Sequence, residues 1–181
     1  MGPQKRRTTL PHLDAQGAAR MVDVGAKPAT HRVAIAEAFV RMRPSTIDAL
    51  LSSDLPKGDA LAVARIAGIS AAKKTADLIP LAHPIPITHA SIEVSPDRRA
   101  GGVHIEARIE TIGGTGVEME ALVAVMTAAL ALYDMAKSID RGMCIERVEL
   151  VMKSGGRSGT YLRGSADDPL PRRRAKKRKR S

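Results

Sequence analysis

Residues 117–137 read VEMEALVAVMTAALALYDMAK, and this stretch decides how the fold is organised. Between Ala121 and Leu132 it is apolar on every side of a helix, interrupted only by Thr127. A helix that is apolar all round belongs inside a protein, and a bilayer span would need about 20 apolar residues. We therefore predict a buried core helix and no membrane association.

Charged residues stand at both ends of this helix. Glu118 and Glu120 suit its positive start and Lys137 its negative end, whereas the helix dipole opposes Asp134. Asp134 and Lys137 can pair on one face, so a purely structural role stays open for all four. Glu118 and Asp134 lie about 24 Å apart along the helix at 1.5 Å per residue, which is too far for one small substrate to touch both. If both ends serve chemistry, each chain has two sites or one site is assembled from two chains; we favour the second.

The charge of the chain is concentrated at its ends. Of the 29 Lys and Arg residues, three lie in residues 1–10 and eight in residues 171–181, and the stretch between holds 18 basic and 19 acidic residues.

A length of 181 residues suits one domain with a real core. The start has no apolar signal segment, so we expect a cytoplasmic protein. The single cysteine, Cys144, excludes an internal disulfide, and we expect it to be a core thiol.

The alternation of apolar residues predicts an α+β fold. Strands are predicted over 31–42, 87–94, 103–112 and 144–152, and helices over 58–75 and 117–137. A short helix opens at Pro44, with Ser45 as its N-cap and Asp48 reaching back. With the first two helices counted as one crossover, the order is the ferredoxin-like split βαβ, an antiparallel sheet with helices on one face.

Three short segments can carry chemistry. Lys57 precedes a helix start and could bind an anion, or it could be a solvated lysine beside an Asp N-cap. His83 lies among three prolines that fix the backbone. It could transfer protons near neutral pH, or its ring could only form hydrogen bonds with backbone carbonyls. Lys153 and Arg157 lie in KSGGRSG, which could wrap phosphate or form a plain exposed turn.

A metal site is not expected. His83 and His89 are six residues apart across prolines, and His83 has no carboxylate four residues on. We predict an enzyme for an anionic substrate that needs no metal or other cofactor. Its Lys, His and Asp side chains would move protons, and Lys and Arg would clamp phosphates.

At these segments the chain resembles the cyclic pyranopterin monophosphate synthase family of molybdenum cofactor biosynthesis. The similarity runs from about residue 13 to residue 168. It is carried by Met21–Val24, Lys57–Pro84, Thr115–Leu122, Tyr133–Lys137 and Lys153–Gly159.

The resemblance implies an activity that composition does not show. Members of the family are phosphorus–oxygen lyases. They convert (8S)-3′,8-cyclo-7,8-dihydroguanosine 5′-triphosphate into cyclic pyranopterin monophosphate and diphosphate. It also implies a ferredoxin-like fold and a homohexamer, a trimer of dimers with sites at dimer interfaces. We accordingly expect a catalytic domain over 13–168, between a disordered basic N-terminus (1–12) and a disordered basic tail (169–181).

The resemblance assigns roles to residues at matching positions. It implies a catalytic set of Asp134, Lys137, Lys57 and His83. It implies a substrate-binding set of Leu81, Ala82, His83, Glu118, Met119, Glu120, Lys73 and Lys153. The family commonly has Cys where Ala82 stands, so without the thiol Ala82 can bind a ligand only through its main chain. The family also often has an aromatic residue where Ala76 stands.

Two other classes compete with this interpretation. The basic tail could give salt-sensitive, non-specific nucleic-acid binding. The nearly neutral remainder of the chain, with one Phe and two Tyr, offers few stacking surfaces for bases, so the tail would be a weak accessory. A non-catalytic assembly partner is the third class, and the presence of all four catalytic-set residues disfavours it.

Overall fold

The computed structural model describes residues 18, 21, 23–52 and 55–164. The terminal segments predicted to be disordered (1–12 and 169–181) lie outside the described residues. The elements in chain order are β1 (Thr30–Arg41), α1 (Pro44–Leu51), α2 (Ala60–Ala72), α3 (Thr75–Leu78), β2 (Ile87–Asp97), β3 (Gly102–Gly113), α4 (Glu118–Ala136), β4 (Cys144–Ser154) and β5 (Tyr161–Leu162).

The strands form one antiparallel sheet in the order β2-β3-β1-β4-β5. The first four strands have the ferredoxin-like arrangement, so the predicted α+β fold class is confirmed. Sequence alternation missed β5, because a two-residue strand carries no periodic signal. Helices α2 and α4 pack on the sheet.

Small side chains set the distance between α4 and the sheet. The strand face under α4 includes Ala34, Ala36 and Ala38, all 0–1% exposed. The buried face of α4 is also rich in alanine; its fully buried alanines are Ala121, Ala124, Ala128, Ala129 and Ala136. Facing alanines let the helix lie close to the strands, and this layer replaces the aromatic core that the composition lacks.

Helix α2 approaches α4 closely at a glycine. A Cβ at Gly68 would lie 3.1 Å from the Ala124 carbonyl oxygen and 3.3 Å from the Ala128 Cβ. The start of α2 is capped as expected, because the Asp59 carboxylate accepts a hydrogen bond from the Ala62 N–H at 2.9 Å. The Asp59 cap and the close contact at Gly68 together fix the position of the loop before α2 relative to α4.

Two local predictions are wrong. Ser45 does not cap α1: the N-cap position is Arg43, no side chain caps it, and Asp48 pairs instead with Arg98 at 2.6 Å. Cys144 is exposed and not a core thiol, because it is the first residue of β4, opposite Arg41 at the end of the β1 pairing.

Helix α4 is not buried all round, which corrects the first prediction. Met119, Met126 and Leu130 are 39%, 48% and 57% exposed and form a stripe along one side. By length and composition α4 could cross a membrane, but core helices pass the same test, and 56% of the apolar window is buried in the fold. The stripe shows that apolar surface of α4 remains uncovered within one chain.

We expect Gly68→Leu to destabilise the fold by about 1–3 kcal/mol, because the added side chain must force α2 away from α4. Arg65→Leu places the same side chain at an exposed position of α2 and should change stability by less than about 0.5 kcal/mol. Urea unfolding measures both. Equal stability of the two variants would show that the α2–α4 contact is not tight.

Candidate functional site

Two lysines and one aspartate meet at the C-terminal end of α4. Lys57 Nζ lies 2.7 Å from Asp134 Oδ2, and Lys137 Nζ lies 2.6 Å from Asp134 Oδ1. Lys57 Nζ also donates to the main-chain carbonyl of Asp134 at 3.0 Å. The predicted pairing of Asp134 with Lys137 is therefore present, and Lys57 joins it from 77 residues away.

Local chain geometry holds this triad of Lys57, Asp134 and Lys137. Lys57 precedes Gly58, whose φ of 86° is a left-handed conformation that favours glycine. Asp59 then caps α2, so Lys57 stands at a fixed turn. Lys137 occupies the C-cap of α4, where its charge suits the negative helix end.

The two ammonium groups hold the Asp134 carboxylate in its ionised form. Hydrogen bonds from Lys137 and then from Lys57 lower the pKa of Asp134 to about 2. All three side chains are about half exposed. The triad has a net positive charge, with one ammonium group at each oxygen of the Asp134 carboxylate, which suits binding of a phosphate oxygen.

A second group of predicted residues surrounds a pocket at the other end of α4. This α4-start pocket has a volume of about 390 Å³. It is lined by Val24, Lys27, Leu81, Ala82, His83, Ile85, Thr115, Gly116, Glu118, Met119 and Glu120. Both predicted binding segments, residues 81–83 and residues 118–120, therefore face one cavity.

A neighbouring pocket of about 310 Å³ shares His83 and Glu120 with the α4-start pocket. Lys73 and Lys74 lie in its wall, and so does Ala76. The structure thus brings Lys73 to the same region as the other predicted binding residues.

Glu120 is the buried acid of this region. It is 3% exposed, and burial, with a smaller contribution from the negative charge of Glu118, raises its pKa to about 7. A carboxyl group that titrates near neutral pH can both give and accept a proton. Sequence analysis placed Glu120 in the binding set, but its deep burial is visible only in the fold.

The loop that carries His83 is anchored at both sides. The Thr111 hydroxyl donates to the Pro86 carbonyl at 2.8 Å. The Ala82 N–H donates to the Ile79 carbonyl at 3.0 Å, so the main-chain acceptor, and not the N–H, remains for a ligand at Ala82. The prolines and these two bonds hold His83 at the pocket wall.

Lys153 connects the end of β4 with the α4-start pocket. Its Nζ lies 3.7 Å from Glu118 Oε1 and also contacts the Ser158 hydroxyl. The glycine-rich loop that follows β4 therefore lies beside the predicted binding residues.

The predicted catalytic set is divided within one chain. Asp134, Lys137 and Lys57 lie at one end of α4, whereas His83 lines the pocket at its start. The ends of α4, Glu118 and Ala136, are about 27 Å apart at 1.5 Å per residue. No small ligand can touch both groups in a single copy.

Sequence analysis did not single out Lys27 and Val24 as pocket residues. Both lie in the loop before β1, and Gly114 packs against this loop: its added Cβ would lie 3.1 Å from the Val24 carbonyl oxygen. The resemblance covered Val24 but assigned it no role, and no local pattern marks Lys27. Among the described residues, no group of three or more His, Cys, Asp or Glu could hold a metal ion.

Comparisons with known proteins give one consistent result. A family model described as the MoaC family matches residues 21–156. A protein named cyclic pyranopterin monophosphate synthase from Thermomicrobium roseum is 56% identical over 154 residues, covering 85% of this chain and 93% of its own length. Proteins of the same name from Roseiflexus castenholzii (59% over 153 residues, 84% and 97% covered) and a Nostoc species (54% over 158 residues, 87% and 94% covered) are also similar.

We expect Glu120→Gln to change stability in a pH-dependent way. Folding raises the pKa of Glu120 above its unfolded value of 4.5, so the buried acid stabilises the fold fully below about pH 4.5, and this contribution is lost as pH rises to about 7. Glutamine has no charge to bury. The variant should therefore gain about 1–3 kcal/mol relative to the original chain between pH 5 and pH 8, measured by urea unfolding. A pH-independent difference would contradict the burial of an acid that titrates near neutral pH.

Proposed function

Because this chain belongs to the MoaC family, we propose that it acts as a cyclic pyranopterin monophosphate synthase in molybdenum cofactor biosynthesis. Its substrate would be (8S)-3′,8-cyclo-7,8-dihydroguanosine 5′-triphosphate, and its products cyclic pyranopterin monophosphate and diphosphate. The reaction makes it a phosphorus–oxygen lyase that works without a cofactor. The observation that carries this proposal is the contact of Asp134 with both Lys57 and Lys137, at the positions that the resemblance marks as catalytic.

The chemistry follows from the charges of the triad. Lys57 and Lys137 lie on either side of the Asp134 carboxylate, so two donors can face the oxygens of the α-phosphate and stabilise the charge that develops there. Asp134 holds the two ammonium groups and can receive a proton from either one. Proton exchange between Asp134 and Lys137 would accompany opening of the purine-derived ring and its rebuilding as the pterin.

The pocket at the start of α4 suits the ring system of the substrate. His83 and Glu120 lie in the wall that the two adjoining cavities share. Glu120, with a pKa of about 7, can exchange a proton with a ring nitrogen at neutral pH. His83 would orient or protonate an intermediate from the proline-rich loop.

A dimer would bring the two halves of the site together. The exposed stripe of Met119, Met126 and Leu130 offers apolar surface for a second copy of α4. Met126 is midway between Glu118 and Asp134, so two helices that cross antiparallel at Met126 place the triad of one chain beside the α4-start pocket of its partner. A two-fold axis there creates two equivalent sites.

The larger assembly and the location extend this proposal. Three such dimers would form the homohexamer that the resemblance implies, in the cytoplasm. The basic tail lies outside the described residues, and weak nucleic-acid binding by the tail remains an accessory role beside the enzymatic one.

We expect the purified chain to convert the cyclised GTP-derived substrate into cyclic pyranopterin monophosphate and diphosphate, detected by mass spectrometry and a diphosphate assay. Asp134→Ala should lower the rate by about 10²–10⁴-fold, because the lysines lose the group that positions them. Light scattering should show an unchanged assembly, since Asp134 is half exposed.

Asp48→Ala is the matched control for Asp134→Ala, because it removes another exposed, ion-paired aspartate and should leave the rate unchanged. Absence of turnover in the original chain would overturn the proposed function. Near-normal turnover by Asp134→Ala would remove this carboxylate from the chemistry.

We expect Asp134→Ala and His83→Ala chains, each inactive alone, to recover activity when they are produced together. In a mixed dimer one site receives both changes and the other receives none. Random pairing at equal amounts should therefore restore about a quarter of the original rate. No recovery in verified mixed dimers would show that both residues act in the same chain.

A further inference from the structure

A buried carboxylate lies just beyond the C-terminal end of α4, close in sequence to the triad. Asp140 is 3% exposed, and the proposed reaction does not use it. A buried charge costs free energy unless hydrogen bonds or an opposite charge compensate it. The partners of Asp140 therefore show what this carboxylate holds in place.

The main chain at Asp140 is tied to the last turn of α4. The N–H groups of Ile139 and Asp140 both donate to the Ala136 carbonyl at 3.0 Å. The Tyr133 hydroxyl donates to the Arg141 carbonyl at 3.1 Å. Because this turn carries the carboxylate of the triad and leads into its second lysine, the segment after α4 is connected to the triad.

The side chain of Asp140 binds the start of α1. Its Oδ2 accepts hydrogen bonds from the Arg43 N–H and the Thr46 hydroxyl, both at 3.0 Å. Its Oδ1 accepts a hydrogen bond from the Gly142 N–H at 3.1 Å and lies 3.3 Å from Arg43 Nε. The Arg43 guanidinium also donates to the Ile139 carbonyl. Hydrogen bonds are directional, so these contacts fix the orientation of α1 as well as its distance from the end of α4.

The contacts of Asp140 keep its carboxylate ionised. Burial raises the pKa of Asp140, but the hydrogen bonds from Arg43, Thr46 and Gly142 outweigh burial and lower the pKa below its usual value. A negative charge also suits the positive start of a helix. The connection between α4 and α1 is therefore present throughout the neutral pH range.

Helix α1 leads to the lysine that completes the triad. After α1 the chain reaches a turn in which the Gly58 N–H donates to the Leu55 carbonyl at 3.0 Å. Leu55 is 7% exposed and belongs to the core, so this turn is anchored. Lys57 extends from the turn and reaches Asp134 at 2.7 Å. The contacts form a closed ring, from the end of α4 through Asp140 to α1 and through Lys57 back to α4.

We propose that Asp140 is a positioning residue for the triad: it orients α1 relative to the end of α4 and thereby sets the position of Lys57 at the Asp134 carboxylate. The inference rests on the proposed function and adds a residue that touches no substrate. The Asp59 cap fixes Lys57 relative to α2, whereas Asp140 fixes it relative to the end of α4.

Steady-state kinetics of the full chain is the first test. Asp140→Ala should lower kcat by about tenfold to a hundredfold with a smaller change in KM, because misplacement of a reacting group by about 1 Å can cost that much. Asp140→Asn keeps one side-chain oxygen as an acceptor and should recover part of the loss. Thr46→Val removes one hydrogen bond to the carboxylate and should lower kcat less than Asp140→Ala does. Asp48→Ala is the matched control, because it removes an exposed, ion-paired aspartate from α1 itself and should leave kcat unchanged.

The titration of Asp134 is a readout that a loss of stability alone would not move. In the original chain, hydrogen bonds from Lys137 and Lys57 lower the pKa of Asp134 to about 2. A carbon-13 label on its carboxyl carbon should therefore keep nearly the ionised chemical shift down to about pH 3. In Asp140→Ala the contact with Lys57 is weakened, so the pKa of Asp134 should rise toward its usual value of 3.8 and the signal should move at higher pH. Subtraction of the Asp134→Asn spectrum assigns the signal, and circular dichroism verifies that each sample is folded.

An unmoved Asp134 signal in folded Asp140→Ala would overturn the inference, and so would an unchanged kcat. If Asp140→Ala does not fold, Asp140→Asn and Thr46→Val carry the same comparison, and the original kcat and titration in both would overturn it. The titration needs no turnover. Failure of the original chain to form the cyclic monophosphate would overturn the proposed function, and a raised pKa of Asp134 in Asp140→Ala would still support the positioning of the triad by Asp140.

Discussion

The close packing of α4 on the sheet is the constraint on which the other features depend. Alanines on both surfaces allow the approach, and Gly68 allows α2 to come equally close from the side. Small side chains leave little room for the helix to shift, because interiors are packed to nearly constant density. The positions of both ends of α4, and with them Glu118 and Asp134, are fixed by this layer.

The electrostatic character of the two ends differs in a complementary way. At one end, two ammonium groups surround an ionised carboxylate near the surface, and the pKa of Asp134 falls to about 2. At the other end, burial raises the pKa of Glu120 to about 7, so its proton is exchangeable near neutral pH. One end is thus suited to stabilising phosphate charge and the other to exchanging protons with a ring. The two ends therefore offer different groups to a substrate, which is the physical reason for the proposal that they combine across a subunit boundary.

Much of this architecture could be predicted from local sequence. Alternation located the four long strands, and spacing identified the Asp134–Lys137 pair and the Asp59 cap. The exposure of Met126 could not be predicted, because apolar periodicity is the same for a core and for a subunit interface. The cavity of about 440 Å³ that Arg32 and Arg157 line could not be predicted either, because the fold brings together two residues that lie 125 positions apart in the chain. The burial of Glu120 likewise depends on elements distant in sequence.

The length of α4 bears on which insertions and deletions the chain can accept during evolution. If two copies pair about Met126, the length of the helix determines whether Lys57 and Lys137 of one chain lie beside the α4-start pocket of the other. Adding or removing a single residue would shift the register by about 1.5 Å and rotate everything beyond it by about 100°. The core alone could absorb such a change by repacking, but the reacting groups would no longer face each other. In such a dimer, catalysis would constrain the number of residues in this helix more strictly than folding does.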